Sequence, residues 1–125
     1  MTSRPKPYEL IFEHREGYLY VSVRSATMDF SVAKAYLAEV GDRCKELECT
    51  RVLIARDVPV MLPVGDLLFA TDFFRQFMKG RRVAFVNPHE RIQTDMQVAI
   101  IMGTNRGADY QLFRTVEAAE KWLLG

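Results

Sequence analysis

Histidine and cysteine are scarce in this chain of 125 residues, which has two of each. Cys44 and Cys49 are separated by neither the spacing of a redox Cys-x-x-Cys motif nor that of half a zinc site. No Gly-x-Ser-x-Gly elbow accompanies His14 and His89, so a serine hydrolase triad has no support. The sequence therefore predicts no catalytic residue, no metal ligand and no cofactor, and we expect a protein that is not an enzyme.

An excess of charge of one sign and long apolar runs are also missing. The chain has 17 basic and 16 acidic residues, so its charge does not favour a nucleic acid partner. The pair Arg81-Arg82 is interpreted as solvated surface charge. No run approaches the roughly 18 apolar residues that cross a bilayer, which predicts no membrane insertion. The segment MTSRPKPYEL lacks the apolar core of a signal peptide. Together with cysteines interpreted as reduced thiols, this predicts a cytoplasmic protein.

The chain does have alternating strand and helix patterns within one domain of ordinary composition, 49% apolar and 26% charged. Residues 1–7, with two prolines, predict a flexible leader, and residues 8–125 a single domain. Residues 8–14 and 18–24 flank a turn that contains Gly17, which predicts an antiparallel hairpin.

Three further strands, each with a helix after it, are predicted beyond a first long helix. Asp29 is the expected N-cap of that helix, and Gly41 in its middle is expected to pack against a strand. Later helices are expected to start between Pro63 and Asp66, at His89 and after Thr115, with a loop over residues 103–107. The order ββαβαβαβα predicts an α/β fold: a mixed five-stranded sheet, antiparallel in its N-terminal hairpin and then parallel, with four helices.

The helix after the central strand is apolar over more than one face. Five of its apolar residues can face the sheet, whereas Phe69 and Phe73 are expected to point partly elsewhere. Such a helix is either buried under neighbouring loops or covered by a partner or a ligand. Both interpretations stay open at the level of the sequence.

Polar residues follow the central strands where parallel strands end, which is where ligands settle in open α/β sheets. The expected members of this edge are Arg56, Asp57, Asn87, His89 and Arg114. We expect Arg56 to pair with a carboxylate in the loop. Asn87 and His89 are the candidate ligand-contacting residues of this edge, although a residue such as His89 more commonly just begins a helix.

The element order and four segments resemble the SpoIIAA-like, or STAS-like, superfamily, the fold of anti-sigma factor antagonists, which has a kinship with the lipid-binding CRAL-TRIO fold. The resemblance covers residues 8–124. It rests on residues 18–23, 52–57 and 82–86 and on the closing segment YQLFRTVEAAEKWL. It implies a regulatory domain that uses the second helix and the loop before it as a contact surface.

One motif of the phosphorylated antagonists is absent. Their second helix opens with an Asp-Ser-Ser-Gly turn that carries the phosphorylated serine, whereas this chain reads LPVGD after the strand that ends at Asp57. Thr71 lies a turn later, and Asp66 and Asp72 would repel an added phosphate. The resemblance therefore implies the fold and its contact surface without the phosphorylation switch.

Two functional hypotheses follow. The first is a non-enzymatic regulatory domain that meets a protein partner or its own copy through residues 57–74. Leu68, Phe69 and Phe73 would be its apolar anchors, and Arg56, Asp57 and Asp66 its polar rim. The second is a binder of a small apolar or lipid-like ligand, held beneath the Phe- and Met-rich helices of residues 69–78 and 96–102.

Overall fold

The computed structural model describes residues 7–125. The predicted leader, residues 1–7, lies outside the described residues except for Pro7. The sheet is formed by five strands, β1 (Glu9–Arg15), β2 (Tyr18–Arg24), β3 (Arg51–Asp57), β4 (Arg82–Val86) and β5 (Asp109–Phe113). The helices are α1 (Phe30–Leu47), α2 (Val64–Met78), α3 (Gln93–Thr104) and α4 (Val116–Leu124).

The strands lie side by side in the order of the chain, β1-β2-β3-β4-β5. β1 and β2 pair antiparallel, and every later neighbour is parallel. The predicted order and the mixed sheet are thus confirmed. None of the helices within residues 7–125 is long and apolar enough to cross a bilayer.

Local signals set the ends of the helices. The N–H of Val32 donates to Asp29 Oδ1 at 2.8 Å, and the N–H of Ala118 donates to Thr115 Oγ1 at 3.2 Å, so both predicted N-caps are confirmed. α2 begins at Val64, inside the predicted window, with Asp66 in its first turn. The segment after β4 differs from the prediction, because a short 3-10 turn (Glu90–Ile92) precedes α3.

Two further predictions about this half of the chain are corrected. α3 continues to Thr104, so the predicted loop 103–107 is shorter than expected. Gly41 does not pack against a strand: it lies under the ring of Phe77 in α2, where a Cβ would be 2.3 Å from Phe77 Cγ. The glycine lets the two helices approach closely.

The sheet separates two layers of unequal size. α1, α2 and α3 cover one face over the main core, which includes the fully buried Val21, Val40, Val52 and Ile54. α4 packs alone on the other face, where Ala119 and Leu123 lie over Leu53 and Ala84. Alternate residues of β3 therefore face opposite layers.

Candidate functional site

Exposed apolar side chains concentrate in the loop before α2 and in its first turns. Seven large apolar residues are exposed within residues 7–125, and three of them, Val60, Val64 and Phe69, fall in this ten-residue stretch. Val64 and Phe69 keep 68% and 65% of their surface accessible. We call the exposed side of residues 60–69 the α2 surface. Single exposed apolar residues are ordinary, whereas contiguous apolar patches are typical of contact regions, so this stretch is the candidate for one.

The three predicted aromatic and aliphatic anchors differ in exposure. Phe69 projects from α2 and meets the ring of Phe30 edge-on, with centroids 6.4 Å apart. Leu68 is half-buried. Phe73 is half-buried too, packs against the main core and stacks edge-on with Phe77 at 5.3 Å. Phe69 is therefore the anchor that the fold itself leaves least covered.

Arg56 is not part of the polar rim, and its predicted pairing with a carboxylate is wrong. It is 4% exposed, because the strand's alternation turns it, like Val52 and Ile54, toward the helices α1 to α3. Its guanidinium donates to the carbonyls of Val58 at 3.4 Å and Val60 at 3.0 Å. The buried cation thus ties down the loop that leads into the α2 surface.

Asp57 points to the opposite face of the sheet and remains half exposed. Its Oδ1 lies 2.8 Å from His89 Nε2, and its Oδ2 lies 3.5 Å from Arg24 Nε. β3 and β4 are adjacent and parallel, so the residues that follow them meet at one edge. The predicted convergence of Asp57 and His89 is seen in the structure.

Asn87 fixes the backbone that carries His89. The Asn87 amide is 1% exposed, accepts from the N–H of His89 at 3.2 Å and donates to the carbonyl of the same residue at 3.1 Å. It also donates to Gln93 Oε1 at 2.9 Å. An asparagine that bonds the backbone two residues on shapes a turn. Asn87 is thus a structural residue of this edge, and its side chain is not free to contact a ligand.

The expected fifth member of the edge is engaged elsewhere. Arg114 forms a two-pronged ion pair with Glu90, at 2.8 and 3.1 Å. The edge therefore has an Asp57–His89 pair and a separate Arg114–Glu90 pair. Neither pair has a nucleophilic side chain among its hydrogen-bond partners within residues 7–125.

The opening of α2 presents no hydroxyl group. Pro63 stands at its N-cap position and makes no side-chain cap. The hydroxyl of Thr71, in the interior of α2, donates to the carbonyl of Leu67 at 2.8 Å. That hydroxyl is thus engaged in a hydrogen bond inside the helix.

A small apolar cavity lies between the helices and the sheet. Its volume is about 70 Å³, and its lining includes Leu37, Met61, Phe74 and Met96, with Arg56 at one side. An apolar cavity of roughly 150 Å³ accepts benzene. The cavity is about half that size, so a lipid chain would enter only if these side chains moved apart.

No protein-family model matches the chain, and no curated protein matches it. Several solved structures do match the chain in fold. An anti-sigma factor antagonist from Mycobacterium paratuberculosis superimposes with a TM-score of 0.63 at 16% identity, over 99% of this chain and 100% of that chain. The chain has a SpoIIAA-like fold. The resemblance inferred from the sequence is confirmed at the level of the fold.

Two further structures share the SpoIIAA-like fold with this domain. One is an uncharacterised protein of the DUF3478 family from Shewanella loihica PV-4, with a TM-score of 0.59 and 15% identity, over 98% of each chain. The other is the Bacillus cell fate determinant SpoIIAA in its phosphorylated form, with a TM-score of 0.53 and 13% identity, over 91% of this chain and 99% of that chain. Identities this low show a common fold and leave the function to be argued from the surface.

Sequence reasoning missed two members of the α2 surface, Val60 and Val64. Both stand next to a proline in the stretch VPVMLPV, which contains no charged residue. An uncharged loop at the surface is itself a signal, because exposed loops are commonly polar. Both valines lie within the predicted contact region, residues 57–74, but the anchors named from the sequence were Leu68, Phe69 and Phe73.

Proposed function

We propose that this SpoIIAA-like domain is a non-enzymatic regulatory domain of the cytoplasm that contacts a second protein chain through the α2 surface. The observation that carries the proposal is the exposure of Val60, Val64 and Phe69 in one short stretch. Burying an aromatic anchor in an interface can contribute about 2 kcal/mol to binding. Asp66, in the first turn of α2, supplies a polar group for the rim, whereas Asp57 faces the other side of the sheet and is not part of it.

The internal support of the surface agrees with a role in recognition. Arg56 holds the carbonyls of Val58 and Val60, so the exposed valine sits on a loop whose backbone is tied to the core. A surface fixed before binding loses less conformational entropy when a partner arrives. The α2 surface is thus both apolar and held in place from beneath.

Sedimentation velocity over a range of protein concentrations tests whether the second chain is a copy of the first. We expect Phe69→Ser to weaken association. Ile11→Ser is the matched control, since Ile11 is exposed to 53% but lies on β1, away from α2. Loss of association in both variants alike would contradict the assignment to α2.

A photoreactive phenylalanine analogue at position 69 tests for a different partner. Irradiation of cells should give a discrete cross-linked product from position 69 and none from position 11. If the wild-type protein is monomeric and position 69 gives no more product than position 11, the proposed function is wrong.

The apolar cavity supports a second candidate, a binder of a small apolar ligand. Its walls include Met28, Met61 and Met96, whose flexible side chains can adapt to a guest. Native mass spectrometry of the protein purified under mild conditions would show a bound mass. A bare protein that also fails to take up small alkanes or benzene would exclude this candidate.

A further inference from the structure

A large basic pocket lies at the end of the sheet opposite to the α2 surface, where the parallel strands begin. Its volume is about 710 Å³. Six of its lining side chains carry a positive charge and one carries a negative charge: Arg51, Arg75, Lys79, Arg81, Arg82 and Arg106 against Asp109. The whole chain has a formal net charge of only +1, so positive charge is strongly concentrated at this end.

The sheet register creates this concentration. Arg51 and Arg82 are the first residues of β3 and β4 and are direct partners in the parallel ladder. Like charges on directly paired residues destabilise a sheet. Asp109 offsets the charge of Arg82, so Arg51 is the member of this pair whose charge has no partner among the residues that the structure describes.

Three of the six cations have a structural explanation. Arg82 pairs with Asp109 at 3.1 Å. Arg81 donates to the carbonyls of Cys49 and Phe77, at 2.8 and 2.6 Å. Arg106 pairs with Asp72 at 3.3 Å and donates to the carbonyl at the end of α3. Cations at helix carboxyl ends are a common stabilising feature.

Of the other three cations, Arg51 and Lys79 lack such an explanation, whereas Arg75 has a long ion pair. Arg51 and Lys79 are exposed and have no hydrogen-bond or ion-pair partner within residues 7–125. Arg75 is half-buried, and its Nε is inaccessible and makes no hydrogen bond in the same part of the chain. Its nearest carboxylate, that of Asp72, is 4.0 Å away and also faces Arg106. Arg51 and Lys79 thus place two exposed cations, unpaired within the described chain, beside one concavity, where both are free to contact an anion.

We propose that this pocket binds a small molecule carrying two or more phosphoryl groups, with Arg51, Arg75 and Lys79 as its principal contacts. Guanidinium groups form paired hydrogen bonds to phosphate oxygens, and lysine adds a mobile point charge. The volume exceeds what one phosphate fills, and the three cations come from two elements, Arg51 from the start of β3 and Arg75 and Lys79 from the end of α2. The lining contains no aromatic ring, so it offers no surface on which a nucleobase would stack.

Isothermal titration calorimetry with inorganic pyrophosphate and with tripolyphosphate, at constant ionic strength, tests the proposal. We expect saturable binding with one ligand per chain and weaker binding of orthophosphate. The double variant Arg51→Gln with Lys79→Gln should lose about tenfold or more in affinity. Amide chemical shifts should move around residues 51, 79 and 106 when pyrophosphate is added.

A second double variant removes the same charge at the opposite end. Arg91→Gln with Lys34→Gln changes two exposed cations outside the pocket, and pyrophosphate affinity should stay within about twofold. If both double variants lose the same affinity for pyrophosphate, binding depends only on the net charge of the protein and the proposal is overturned. Absence of saturable binding up to about 10 mM pyrophosphate would overturn it as well.

Larger polyanions are the competing occupants. A single-stranded oligonucleotide, and vesicles of phosphatidylcholine with phosphatidylserine, should bind more weakly than tripolyphosphate. If either binds more tightly, and Arg51→Gln with Lys79→Gln abolishes that binding, the small-molecule assignment is wrong. Neither result depends on Phe69, so this test and the test of the α2 surface can fail separately.

Discussion

Gly41 of α1 and Phe77 of α2 are in direct contact: a Cβ on the glycine would lie 2.3 Å from Cγ and 2.8 Å from Cβ of the phenylalanine. A contact that close involves the base of the side chain as well as the ring, so rotating the ring cannot relieve it. The glycine thereby determines how closely α1 and α2 pack, and with it the position of the helix that carries Phe69.

Gly41→Ala should destabilise the protein. Overpacking costs about 1–3 kcal/mol, which exceeds the gain of roughly 1 kcal/mol in helix propensity. Urea denaturation should show a lower midpoint. Gly65→Ala is the control, since no atom lies within 4 Å of its added Cβ, and it should leave stability unchanged or raise it. The cost of Phe77→Ala should fall in the Gly41→Ala background, and strictly additive costs would contradict the clash.

Arg56→Met should lower the free energy of unfolding by about 2 kcal/mol, because it removes charged donors from the carbonyls of Val58 and Val60 while keeping the apolar stem. Amide hydrogen exchange should accelerate over residues 58–62. Arg24→Met is the control, at a side chain 72% exposed, and should change stability by less than about 0.5 kcal/mol. Unaltered exchange in Arg56→Met would show that the loop is held by other contacts.

The thiol of Cys49 should be reactive near neutral pH. A hydrogen bond from the Cys44 thiol, and then the charge of Arg81, lower the pKa of Cys49 to about 7, against the opposing effect of burial. Alkylation by iodoacetamide should therefore occur at Cys49 rather than at the buried Cys44, with a rate that rises through about pH 7. Arg81→Gln should shift that rise to higher pH. If the alkylation rate instead rises at about pH 8.5, where an ordinary cysteine thiol titrates, the lowered pKa of Cys49 is contradicted.

Stability should decline in alkaline solution. Burial, together with a hydrogen bond to Glu39, raises the pKa of Tyr8 to about 12, and burial raises the pKa of Tyr18 and of Tyr110. A folded pKa above the unfolded value of about 10 gives a contribution that is complete below pH 10 and is lost as the pH rises through the folded pKa. Urea midpoints measured from pH 9 to pH 12 should fall accordingly, and a flat profile would refute this.

Tyr110→Phe isolates one of these groups. The Tyr110 hydroxyl is buried without a hydrogen-bond partner within residues 7–125, so its removal should raise stability by up to about 1 kcal/mol at neutral pH and reduce the alkaline loss. Tyr20→Phe, at a half-buried position, is the control and should have little effect at neutral pH. Destabilisation by Tyr110→Phe would mean that its hydroxyl has an ordered partner.

The elements of the fold were predictable because each has its own local signal. Asp29 begins α1, Gly17 closes the hairpin, and apolar runs mark the central strands. The side-chain direction of Arg56 could not be predicted, for a specific reason. Residues 52–55 are all apolar, as expected for a strand covered on both faces, so the run gives no alternation from which to extrapolate to the next residue.

The sites depend on register, which no local pattern specifies. Asp57 and His89 meet because β3 and β4 are parallel neighbours, and Arg51 meets Arg82 for the same reason. Arg81 and Arg82 were interpreted as solvated surface charge, whereas both line the basic pocket. The sequence did contain a signal, since β3 and β4 both begin with arginine and Arg106 stands just before β5. Aligning the starts of parallel strands would have grouped them.

The agreement between strand order and chain order has a consequence for synthesis on the ribosome. Each strand after the first is laid beside the one made just before it, so none waits for a distant segment to be translated. Nascent domains emerge from the amino terminus at roughly 5–20 residues per second. The growing sheet therefore gains each strand at the edge formed by the strand made just before it, while β1 stays at the opposite edge.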